Sequence, residues 1–116
     1  MATVSPVVKV TSDGVPYVTW TGIVTGDTIL PFTLKDQSGT QASVQIGGTF
    51  GGATVALNSS NDNATYFAMK DRSAAGTALS ATAAAIFEFQ TSAIYVKPVV
   101  TAGAANSINV TMTLRG

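Results

Sequence analysis

An all-β fold is predicted for this chain: one antiparallel β-sandwich or jelly roll of about seven to eight strands over residues 15–116, after an extended amino-terminal arm over residues 1–14. Three observations predict it. Valine and threonine are abundant and leucine is sparse, and β-branched side chains suit a pleated surface while losing rotamer freedom in a helix. Stretches of period-2 alternation are separated by small clusters of Gly, Asp, Asn and Ser. No regular alternation with helical periods appears, which argues against a parallel α/β sheet. A chain of 116 residues suits one domain, large enough to hold a core without disulfides or metals.

The arm comes first. Val4, Val7, Val8 and Val10 are apolar, Pro6 interrupts them, and Ser12-Asp13-Gly14 ends the segment. Four valines are more apolar surface than a frayed terminus needs. They are candidate contacts to another subunit, with the arm adding to a neighbour's sheet edge or lying in its groove.

Residues 15–24 are rich in β-formers, and Gly26-Asp27 punctuates their end. Residues 28–35 follow, where Pro31 marks an edge or a bulge. Asp36-Gln37-Ser38-Gly39 is a turn cluster. Residues 42–50 place Val44 and Ile46 on one face, and residues 53–58 group Ala53, Val55 and Leu57. A polar loop over 59–63, a short strand over 65–70 with Tyr66 and Phe67, and a loop over 71–76 come next.

Residues 79–90 carry two signals. Three consecutive alanines favour a helix, whereas Ile86, Phe87 and Phe89 fit a strand. A short strand over 78–81, an irregular or helical turn over 83–85 and a short strand over 87–90 accommodate both. Residues 93–101 form another strand, with Pro98 at an edge or bulge. After a Gly/Ala turn over 102–106, residues 107–115 give the clearest signal. Ile108, Val110, Met112 and Leu114 share one face, and Asn109, Thr111, Thr113 and Arg115 share the other.

Two glycine pairs flank Thr49-Phe50. A phosphate-binding loop would need Lys followed by Ser or Thr after the second pair, opening a helix. Here Ala53-Thr54 opens a period-2 strand. Gly47, Gly48, Phe50, Gly51 and Gly52 are therefore read as a structural corner. One strand finishes at Phe50, the chain turns or bulges, and the next begins at Ala53.

The composition narrows the function. Charged residues are 10% of the chain and the net charge is zero, against about 25% charged in ordinary soluble domains. A surface so poor in charge suits a domain covered by another subunit. There is no cysteine and no histidine, which removes the commonest general base and two of the commonest zinc ligands. Five of the six carboxylates, Asp13, Asp27, Asp36, Asp62 and Asp71, fall in expected turns, where Asp bonds the local backbone. Only Glu88 has an apolar context.

No catalytic residue, cofactor site or metal site is assigned, and no enzyme activity or small-molecule substrate is expected. The loop Asn58-Ser59-Ser60-Asn61-Asp62-Asn63 offers calcium one carboxylate and lacks the distal Glu of an EF-hand. Trp20, Tyr17, Tyr66 and Tyr95 suit a core or interface better than a sugar platform. Scattered, balanced basic residues give no footprint for nucleic acid. No apolar run approaches the ~18 residues of a membrane helix. The first ten residues lack a signal-peptide pattern, so synthesis in a cytoplasm is expected.

One stretch adds a resemblance. Gly48-Thr49-Phe50-Gly51-Gly52-Ala53-Thr54-Val55, then Leu57, Ser60 and Asp62, resemble a run that recurs in small structural proteins of tailed bacteriophages. Tyr95-Val96-Lys97-Pro98-Val99-Val100-Thr101 and the alternating last strand continue it, so the likeness spans about residues 42–115. A Trp-type aromatic position of that pattern is filled here by Tyr66-Phe67. The resemblance is strongest to capsid decoration, or cement, proteins. It implies a virion protein on the outside of an assembled shell, bridging neighbouring copies of the major capsid protein, as a homodimer or homotrimer and without catalytic residues. The competing expectation is a tail or fibre component that binds a host glycan through Trp20 or Tyr66.

Overall fold

The alternation of residues 107–114 is the spine of the first sheet. The computed structural model describes residues 2–33, 40–70, 79–91 and 94–114. The strands are β1 (Thr3–Val4), β2 (Val7–Val10), β3 (Pro16–Ile23), β4 (Thr28–Ile29), β5 (Phe32–Thr33) and β6 (Thr40–Thr49). They continue with β7 (Thr54–Ser60), β8 (Phe67–Ala68), β9 (Ser80–Ala81), β10 (Ala85–Thr91), β11 (Tyr95–Thr101) and β12 (Ser107–Leu114). No helix occurs among the described residues.

β12 lies at the centre of a five-stranded antiparallel sheet ordered β10-β6-β12-β3-β2. The second sheet runs β5-β11-β7-β8, with β9 also pairing β7. The two sheets pack as a sandwich. Val18, Trp20, Val44, Ile46, Phe89, Ile108, Val110 and Met112 from the first join Val55, Leu57, Val96 and Val100 from the second in one buried cluster. Strands β6, β7, β10, β11 and β12 give alternate residues to it, the pattern of a sheet with one covered face.

One departure from that period is built in. Ile108 pairs Ile23, but Val110 pairs Trp20, so β3 holds one extra residue between the two rungs. Gly22 absorbs it at φ +69 and sends its N–H to Asn109 Oδ1 at 3.0 Å. The bulge restores the parity of β3, so both Trp20 and Ile23 point inward and are fully buried. The indole Nε1–H of Trp20 is satisfied by the carbonyl of Leu30 at 2.9 Å.

Among the described residues there are twelve strands, seven of four residues or more, in line with the expected seven to eight, and five pieces of two residues. Of the strand expected over 28–35, the described residues 28–33 form two pieces, β4 and β5, separated at Leu30-Pro31. No helical turn forms at 83–85. Residues 82–84 bend, and β10 starts at Ala85 and pairs β6 as far as Thr91. The turn expected at Asp36-Gln37-Ser38-Gly39 and the loop over 71–76 lie outside the described residues.

Pro98 sits where the outer side of β11 is an open edge among the described residues, as one of the two expectations had it, and not at a bulge. It pairs Leu57 in unbroken register. Leu57 sends its N–H to Leu79 and accepts from Met69, both on the far side from β11. The Leu57–Pro98 rung is therefore a non-hydrogen-bonded one, and the missing N–H of Pro98 faces away from β7. On that side β5 pairs only Tyr95 and Val96, so proline breaks no ladder bond.

Candidate functional site

The candidate contact valines divide into two groups. Val4 lies in β1, which pairs parallel with β4, and it packs against the core. Asp27 anchors this piece. Its carboxylate accepts the N–H of Ala2 and the N–H of Val24, each at 3.0 Å. Those bonds, the one from Ala2 first, hold the Asp27 carboxyl below its ordinary value of 3.8.

Val7, Val8 and Val10 lie in β2, which pairs with β3 of its own chain and forms an edge of the first sheet. All three are exposed, Val8 at 58% and Val10 at 62%. The second sheet does not reach over this edge, so even the inward-facing Val8 and Val10 remain open. The other edge of the same sheet is β10, where Ile86 is 66% exposed. Sequence reading passed over Ile86. Its signal was an apolar residue out of phase with Phe87 and Phe89 on a strand of otherwise clear parity.

The glycine corner carries the chain from one sheet to the other. β6 ends at Thr49, Phe50 packs against the core, and the N–H of Ala53 closes the turn on the Phe50 carbonyl at 2.9 Å. Gly51 and Gly52 take φ +55 and +86, values that a side chain adopts at a steric penalty. Residues 102–105, which return the chain from β11 to β12, lie against this corner. Ala104 donates its N–H to the Gly51 carbonyl at 3.0 Å, and a side chain on Gly103 would come within 2.5 Å of the Ala53 nitrogen. Gly47 has open space and no positive φ, so it is the member of the group that the corner does not require.

A third feature is the loop after β7. Asp62 Oδ1 accepts from Ser60 Oγ at 2.8 Å and from the N–H groups of Ala64 and Thr65 at 2.9 Å. Bonds from Ala64, then Thr65 and Ser60, lower the Asp62 pKa from its ordinary 3.8. Ser60 Oγ in turn accepts the N–H groups of Asp62 and Asn63. This reciprocal turn explains the Asn-Ser-Asp composition without a metal. Among the described residues no three His, Cys, Asp or Glu side chains gather as metal ligands.

Beside the loop, Lys97 Nζ stands 4.3 Å from the centroid of the Tyr66 ring. Burial raises the Tyr66 phenol above its ordinary 10.0, with Tyr95 and Asp62 adding to the effect. Phe67 is 67% exposed on the rim of an open depression of about 320 Å³ that also takes in Ser59, Asn61 and Thr65. Trp20 is fully buried and offers no surface to a glycan, which removes it from the platform the sequence suggested.

No family model matches this chain, and no curated protein matches it. Among solved structures it is similar to the SPBc2 prophage-derived protein YomS, with TM-score 0.62 and 11% identity over 85% of this chain and 93% of that one. At that identity the likeness is one of fold. Weaker similarities reach the cleaved adhesin domain of Lys-gingipain from Porphyromonas gingivalis, with TM-score 0.39 and 10% identity over 91% of this chain and 77% of that one. A carbohydrate binding module of a Cellvibrio mixtus lichenase, in complex with cellotriose, follows with TM-score 0.31 and 10% identity over 97% and 86% of the two chains.

Proposed function

We propose that this chain is a structural protein of a tailed-bacteriophage virion, and within the virion a capsid decoration protein. On this reading it binds the outside of the assembled shell, bridges neighbouring major capsid subunits and acts as a homo-oligomer, with no catalytic role. The observation that carries the reading is the β2 edge, where Val7, Val8 and Val10 stand exposed on a sheet edge of a domain with scarce charge. Apolar side chains beside open backbone groups suit another protein better than water. The phage-like run from Gly48 to Asp62 and the fold shared with a prophage-derived protein support the same reading.

The mechanism is linkage. A protein that binds only the expanded shell stabilises that state by its own binding free energy, and many copies on one particle add their contributions. Imaging of intact particles tests it. Copies on the order of hundreds over the head, together with lower heat and osmotic resistance of shells lacking the protein, are the expected result. A handful of copies on the tail, with binding of the isolated protein to host polysaccharide, would replace this reading by the tail or fibre one.

A further inference from the structure

The two edges of the first sheet are complementary to each other, and we infer that copies of this chain join head to tail by pairing β2 of one with β10 of the next. The argument begins with strand direction. Every neighbouring pair in the order β10-β6-β12-β3-β2 is antiparallel. Four reversals leave β10 and β2 pointing the same way, so joining one copy's β10 to another's β2 makes a parallel pair.

The hydrogen-bonding phase follows from a single bond. Thr11 donates its N–H to the Val15 carbonyl, so Thr11 faces β3. Alternation then turns Lys9 and Val7 toward β3, and Val8 and Val10 toward the open edge. Carried through the registers of β3, β12 and β6, the same alternation makes Val44–Phe87 and Ile46–Ala85 the bonded rungs. Ile86 and Glu88 are then the residues whose backbone groups face the side of β10 on which no strand pairs among the described residues.

In a parallel pair, a residue that faces its neighbour bonds to the two residues flanking its opposite number. Place Glu88 opposite the partner's Lys9. Its N–H then meets the carbonyl of the partner's Val8, and its carbonyl meets the N–H of the partner's Val10. Ile86 falls opposite the partner's Val7, bonding the carbonyl of the partner's Pro6 and the N–H of the partner's Val8. Pro6 is asked only for its carbonyl, which is all that a proline has.

Side chains agree with this register. Lys9, Tyr17, Thr113, Ser43 and Glu88 form one row across the outer face of the sheet, with the cation at one edge and the anion at the other. The join sets that anion beside the partner's cation. On the same face exposed Ile86 meets the partner's Val7. On the inner face the partner's Val8 and the partner's Val10 come beside Phe87 and Phe89. A twofold β2–β2 contact centred on Lys9 would instead set the two lysines against each other.

A heterologous contact of this kind closes into a ring of three or more copies or continues as a chain, and it never yields a closed pair. It rests on the geometry of the edges rather than on the virion reading, and its failure would bear on the homo-oligomer of that reading while leaving binding to the shell standing.

The test is molar mass in solution from micromolar to millimolar full-length protein. The parent is expected to form assemblies of three or more copies. Lys9→Glu alone and Glu88→Lys alone should each weaken assembly about tenfold or more. An equimolar mixture of the two should restore it, because each variant's edge then meets an opposite charge. Val8→Pro removes an N–H that faces the open edge, so it should melt like the parent and fail to assemble. A parent that stays monomeric, a mass that stops at a dimer, or a mixture no better than its components overturns the proposal.

Discussion

Replacing Gly51 by Ala probes the corner most sharply, because the structure separates backbone strain from collision there. The residue sits at φ +55, where a side chain costs roughly 1–2 kcal/mol. An added Cβ would also strike the Ala104 carbonyl oxygen and lie 3.2 Å from its carbon. Relieving that contact pushes the two turns apart and strains the bond from Ala104 N–H to the Gly51 carbonyl, worth about 1 kcal/mol. The sum is about 2–3 kcal/mol, a large share of the ~5–15 kcal/mol that holds a domain together. At this chain length the melting temperature should fall by about 10 °C.

Two controls calibrate the figure. Gly52→Ala carries the strain of φ +86, but its Cβ would stand 3.8 Å from Gly103 Cα, so roughly 1–2 kcal/mol is expected. Gly47→Ala meets open space at an ordinary φ and should change stability by less than about 0.5 kcal/mol. Thermal melts followed by circular dichroism order the three. A Gly51→Ala protein as stable as Gly47→Ala would refute the claim that the two crossover turns touch.

Asn106→Ala removes a buried amide that donates to Thr25 Oγ1 at 2.6 Å and accepts the Thr25 N–H at 3.1 Å. Denaturant melts should show a loss of about 2–3 kcal/mol. Trp20→Phe deletes the Nε1–H bond to the Leu30 carbonyl and leaves a small void, so the same melts should show about 2 kcal/mol lost. The Asp27 carboxyl is held below 3.8 by its backbone bonds, so its stabilisation is present above that pH and is lost as pH falls through the lower, folded-state value. Asp27→Asn should therefore be less stable at neutral pH and lose less on acidification below about pH 4 than the parent, as read from melting temperature against pH.

The long strands were legible because one period governs a strand with one covered face. Ile108, Val110 and Met112 are buried in the expected phase, as are Ala53, Val55 and Leu57. The helical signal at 83–85 was a local preference of a few tenths of a kcal/mol per residue. It lost to the pairing of Ala85, Phe87 and Phe89 along β6. The bulge at Gly22 was hidden because it changes the parity inside one strand, and only the partner strand reveals the extra residue. Pro98 was read as an edge or a bulge, and the pairing decides for the edge. Its tolerance depends on which side of β11 its nitrogen faces, and that is a property of the pairing rather than of the residue.

The same distinction applies to the phage-like run. Gly51, Gly52 and Ala53 are occupied in turning the chain between sheets and in meeting residues 102–105. Val55 and Leu57 are core, and Ser60 and Asp62 bond each other and their own loop. Nearly every residue of that run is engaged inside the chain, so a likeness there transfers an architecture. Residues that would choose a partner must lie where hydrogen-bonding groups and apolar side chains are open together. The crossover end of the sandwich fails that requirement, since its turns are bonded to one another and latched by Thr25 and Asn106. The β2 and β10 edges meet it. On the proposed pairing, the residues that choose a partner are Val7, Val8, Lys9 and Val10, and Ile86 and Glu88, in segments that carry no recognisable motif.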